Sequence, residues 1–139
     1  LLANAYLQVQ QYGKAIGIIR AMASSVRGKL LRYIAKARRL GSGYEDGGPP
    51  RLLAMYYLSV PVPFKDNEEA LKLVAQARKL SPGHSRNLYC SGRILWDMGR
   101  KAEARKMVKQ CMTATRGGDK VINRDFQGRC RKLLRQYQE

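Results

Sequence analysis

Residues 66–80 read DNEEALKLVAQARKL, and residues 85–115 read SRNLYCSGRILWDMGRKAEARKMVKQCMTAT. Laid against itself at an offset of 34, this stretch sets Ala70, Val74 and Ala77 on Ala104, Val108 and Cys111. Small, large, small at spacings of four and three puts all three side chains on one face of a helix. Between the two segments come Leu88, Gly92, Leu95 and Gly99, a second amphipathic pattern with a small residue at its centre. Asp66 stands where a helix N-cap belongs, and Glu68 and Glu69 follow in the first turn, where the helix dipole favours anions. Ser81-Pro82-Gly83 and Gly99 are stop signals between segments. The period of the pattern predicts helix pairs that bury their faces by stacking.

Working outward, periodicity and breakers divide the chain into about seven helical segments with no convincing strand. Segments are expected near 2–11, 12–23 and 26–40, followed by the loop GSGYEDGGPP at 41–50. Pro50 opens a short helix running to about Leu58, and Val60-Pro-Val-Pro63 imposes extended backbone. Helices follow over 66–80, 85–98 and 100–115, and after Arg116-Gly117-Gly118 a last one runs from Asp119 towards Tyr137. The chain opens at Leu1 without Met, directly on a helical pattern, and so reads as a fragment or processed product.

The repeat resembles the tetratricopeptide family. Counted from Ser85, Gly92 takes the small eighth position and Leu95 the bulky eleventh, while Ala104, Val108 and Cys111 take the twentieth, twenty-fourth and twenty-seventh. Leu88 stands at the fourth position, where the family often has tryptophan. A second match, cut off before its own start, places Leu2, Ala3, Tyr6, Tyr12, Ala15, Ile19 and Met22 in register. Leu30, Ile34 and Ala37 fit a second-helix pattern, and Ile122, Phe126, Leu133 and Tyr137 form a stripe suited to a capping helix. The irregular middle is loosely similar to the regulator-of-microtubule-dynamics branch and to bacterial periplasmic tetratricopeptide proteins that partner transporters. The resemblance implies an all-α fold, antiparallel helix pairs stacked as a short right-handed superhelix. It also implies a single domain over 1–139: a truncated repeat and following helix over 1–40, a loop and short helix over 41–65, the tight repeat over 66–115 and a capping helix over 119–138.

Composition bounds the function. Lys and Arg number 27 against 10 acids, a formal charge of +17, so an acidic partner is expected. The first 44 residues hold eight basic side chains and no acidic one. Three cysteines, Cys90, Cys111 and Cys130, lack CxxC spacing, and His84 is the single histidine, which argues against zinc. An odd count at helical positions reads as reduced thiols packed as small apolar residues, in a reducing compartment. No phosphate-binding glycine loop and no Cys–His or Ser–His–Asp set is present, so the chain is expected to be no enzyme and to need no cofactor. No run of apolar residues is long enough to span a bilayer. The expected location is intracellular, cytoplasmic or mitochondrial.

In the family the first helix of each pair lines the concave surface. Arg86, Tyr89, Arg93 and Trp96 share one face of that helix and combine the residue types that dominate interface energy. They are expected to form a partner-binding groove for an acidic peptide or a stacked base. Basic stripes are expected at Lys29, Arg32, Lys36 and Arg39, at Lys101, Arg105 and Lys109, and at Lys120, Arg124, Arg131 and Arg135. The favoured function is a non-catalytic scaffold for protein partners with an acidic surface, without a small-molecule substrate. The alternatives are an RNA-binding subunit of a ribonucleoprotein and docking on an acidic polymer such as tubulin.

Overall fold

The protein is described by a computed structural model covering residues 28–29, 31–32, 34–36, 39, 41, 43, 46–60 and 65–139. The chain divides into two compact units, Leu1–Lys36 and Ala37–Glu139. In the first, the described residues from 28 to 36 are helical, with Lys29, Arg32 and Lys36 exposed and Ile34 buried. The expected truncated repeat over Leu2–Met22 and the proline link over 61–64 lie outside the described residues.

From residue 46 onward the described residues of the second unit form five helices: α1 Gly48–Ser59, α2 Asn67–Leu80, α3 Ser85–Asp97, α4 Lys101–Met112 and α5 Lys120–Gln136. Each has local causes. Pro49 and Pro50 open α1, where a missing N–H costs nothing, behind Gly47 at φ 84°. Asp66 caps α2 by accepting from the Glu69 N–H at 2.9 Å, and Asp119 caps α5 by accepting from Ile122 N–H at 2.9 Å. Gly99, at φ 77°, turns the chain from α3 into α4. Apart from one isolated bridge between His84 and Arg116, no strand occurs among the described residues.

Consecutive helices pack on each other, and α1 also touches α3, as α3 touches α5. Among the described residues α2 and α4 do not meet. The odd-numbered helices thus form one continuous row, with α2 and α4 outside it. The α3–α4 joint depends on small residues. A Cβ at Gly92 would sit 2.6 Å from Val108 Cγ2, closer than any real contact, and Ala104, Val108 and Cys111 beneath it are fully buried. Leu88, Leu95, Ala114, Cys130 and Tyr137 complete this core.

Cys111 and Cys130 form a disulfide that staples α4 to α5, with Cα atoms 6.2 Å apart. This corrects the expectation of three reduced thiols and removes the ground for a reducing compartment. The two residues share no short motif; they meet because the turn over 113–119 folds α5 back along α4. Only Cys90 keeps a free thiol, buried on α3.

Candidate functional site

Where the odd-numbered helices run side by side, they leave an open cleft of about 410 Å³. That is within the size range of sites that hold a ligand or a few side chains of a partner. From α1 come Pro49, Arg51, Leu52 and Met55; from α3, Arg86, Tyr89, Cys90 and Arg93; from α5, Phe126 and Arg129. Four guanidinium groups stand around an apolar floor, and no carboxylate is part of the lining.

The arginines are positioned. Arg51 is nearly buried and donates to Asn87 Oδ1 at 2.7 Å. Asn87, fully buried, in turn donates to the carbonyls of Asp46 and Ala77, both at 3.1 Å. One side chain on α3 thereby fixes the start of α1 and the end of α2. The backbone there is tight: a Cβ on Gly47 would come within 2.9 Å of Ala77 Cα. Arg93 lies over the Tyr89 ring at 5.8 Å, and Arg129 over the Phe126 ring at 4.8 Å while paired with Asp125 at 2.8 Å. The two rings meet edge to face with centroids 5.3 Å apart.

Next to this set His84 is fully buried, with Asp46 Oδ2 3.5 Å from its Nε2. That separation is too long for a good hydrogen bond. Burial lowers its pKa to about 4, helped by repulsion from Arg51 and Arg86 and opposed by Asp46, so the imidazole is neutral at neutral pH. Burial likewise raises the Cys90 thiol to about 11, against the pull of Arg51, Arg93 and Arg86. A thiol so placed is no nucleophile at neutral pH. Among the described residues no group of His, Cys, Asp and Glu could hold a metal ion.

Of the residues expected in the groove, Arg86, Tyr89 and Arg93 line the cleft, and Trp96 does not. Trp96 is stacked on Tyr137 with centroids 3.9 Å apart and planes 1° from parallel, and so belongs to the joint between α3 and α5. Two expected surface cations serve the same joint: Lys101 and Arg105 lie 5.1 and 5.6 Å from the Trp96 ring centre, and Arg105 Nε donates to the Tyr137 carbonyl at 2.9 Å. Lys109, Lys120, Arg124, Arg131, Arg135 and Arg39 are exposed. Sequence reasoning missed Arg51, Asn87, Phe126 and Arg129 as parts of the site. None of the four carried a signal: even Asn87 stands in the first turn of α3, where a polar amide is ordinary.

Comparison with models of known protein families finds no match, and comparison with curated proteins finds no significant similarity. Among the described residues no helix is long and apolar enough to cross a membrane.

Proposed function

We propose that the chain is a non-catalytic scaffold of the tetratricopeptide type, and that the cleft on its row of odd-numbered helices docks an acidic segment of a protein partner. The observation that carries this reading is the lining itself, four arginines around Pro49, Leu52, Met55, Tyr89 and Phe126 with no acid among them. Arginine recognises carboxylates in pairs of parallel hydrogen bonds, and Arg with aromatic residues supplies most interface hot spots. The row of α1, α3 and α5, with Gly92 admitting α4 behind it, supports the repeat reading. Cys90 and His84, the groups nearest the cleft that could do covalent or proton chemistry, are buried with pKa values shifted away from reactivity. A stacked nucleobase is disfavoured in the cleft, because Tyr89 and Phe126 each already carry a guanidinium and meet each other edge to face.

The test is a titration of a fluorescent octapeptide alternating Glu with Leu, set against its Gln counterpart. The Glu peptide should bind, and Arg93→Ala with Arg129→Ala should weaken it at least tenfold, the loss expected for charge-assisted hydrogen bonds of about 1.5–3 kcal/mol each. Equal binding of the Gln peptide would remove the charge argument.

A further inference from the structure

Basic side chains occur in this protein in two conditions. In the cleft they are held by hydrogen bonds, rings or a carboxylate. On α5 they are not. Lys120, Arg124, Arg131 and Arg135 are all exposed, and no described carboxylate pairs with any of them. At 100° per residue the four fall on one flank of α5, in a row about 22 Å long at 1.5 Å per residue. Cys130, Leu133 and Tyr137 mark the buried face of that helix. Phe126 and Arg129, which line the cleft, lie on the flank opposite the row. The single acid of α5, Asp125, is on that other side as well and is used by Arg129.

We infer that this flank of α5 is a second binding surface, and that it takes the phosphate backbone of a single-stranded nucleic acid. The chemistry of the row decides among possible occupants. A protein interface needs an apolar or aromatic centre, yet no aromatic side chain joins the row. An amphipathic helix seated in a membrane surface adds an inserted apolar face to its charge, and Val121 is the lone exposed apolar side chain beside the row. A phosphate backbone needs only cations in line, and a single strand can bend to follow a straight helix. Lacking base-stacking rings and hydrogen-bonding amides, the row reads charge and not sequence. The surface is independent of the cleft, so the chain could bridge a nucleic acid to an acidic protein segment.

The experiment uses the full chain and a fluorescein-labelled twelve-nucleotide oligouridylate, titrated by anisotropy at several salt concentrations. The wild-type protein should bind with affinity that falls steeply with salt. The variant Lys120→Ala/Arg124→Ala/Arg131→Ala/Arg135→Ala should lose roughly 3 from the slope of log affinity against log salt, about 0.7 for each phosphate contact removed. Each half of the row, Lys120→Ala/Arg124→Ala or Arg131→Ala/Arg135→Ala, should lose about half of that, which keeps the test valid if the full variant folds poorly. Replacing the three arginines by lysine should preserve the slope. The inference is overturned if wild-type protein does not bind at low salt, or if the row variant binds as the wild type does. It is overturned too if Arg93→Ala/Arg129→Ala costs as much as the row variant, since the cleft would then be the site. Row-dependent binding to phosphatidylserine vesicles in preference to the oligonucleotide would assign the surface to membranes instead. Failure here leaves the peptide titration of the cleft unaffected.

Discussion

The two sides of α3 are built from different materials. Towards α1 and α2 it meets its neighbours through a polar seam, in which Asn87 ties Arg51, Asp46 and Ala77 together beside the buried His84. Towards α4 and α5 the joint is apolar, with Gly92 against Val108, the Trp96–Tyr137 stack and the Cys111–Cys130 bridge. The apolar joint supplies cohesion; the polar seam supplies position. Hydrogen bonds add little net stability, yet their directionality fixes where a charged group sits. An arginine held at the wall of a cleft is oriented by such a seam beside it.

That contrast can be broken experimentally. The largest effect is expected at the apolar joint, where Cys111→Ser with Cys130→Ser opens a loop closed across 19 residues. Roughly 3–4 kcal/mol of stability should be lost, lowering Tm by about 10 °C in a thermal melt. Reductant should do the same to the wild type and nothing further to the variant. If reductant leaves Tm unchanged, the bridge contributes nothing.

The polar seam should answer to pH. His84 titrates near 6.5 when unfolded and near 4 when folded, so between those values only the unfolded chain takes up the proton. Its contribution is fully present above pH 6.5 and is lost as pH falls towards 4, amounting to roughly 3 kcal/mol over the window. Urea denaturation at steps between pH 7 and 4 should show this decline, and His84→Asn should flatten it. A variant with the wild-type slope would place the proton uptake elsewhere.

The smallest effect sharpens the geometry. Gly92→Ala forces a methyl into Val108, and the strain should cost about 1–2 kcal/mol in spite of alanine's better helix propensity. A stabilised variant would show that α3 and α4 have room to spare.

Much of the fold could be read from residue spacing because its causes are local or periodic. Asp66, Pro50 and Gly99 act on their own turns, and the small residues at Gly92 and Ala104 report a close approach from either side of it. What escaped was long-range. Nothing near Cys111 announces Cys130, and Phe126 and Arg129 reach the cleft only because α5 packs beside α3. Trp96 shares the helical face of Arg86, Tyr89 and Arg93, but it sits one turn further on, where Tyr137 is waiting for it. Helical spacing gives the face of a residue and leaves its neighbour undetermined.

The central claim, that the row of odd-numbered helices docks an acidic partner, is tested most directly by mapping the Glu–Leu peptide on isotope-labelled protein by amide chemical shifts. Perturbations are expected at Arg51–Met55, Arg86–Arg93 and Phe126–Arg129, with Lys120, Arg124, Arg131 and Arg135 unmoved. Shifts confined to the outer flank of α5, or spread evenly over every basic residue, would contradict it.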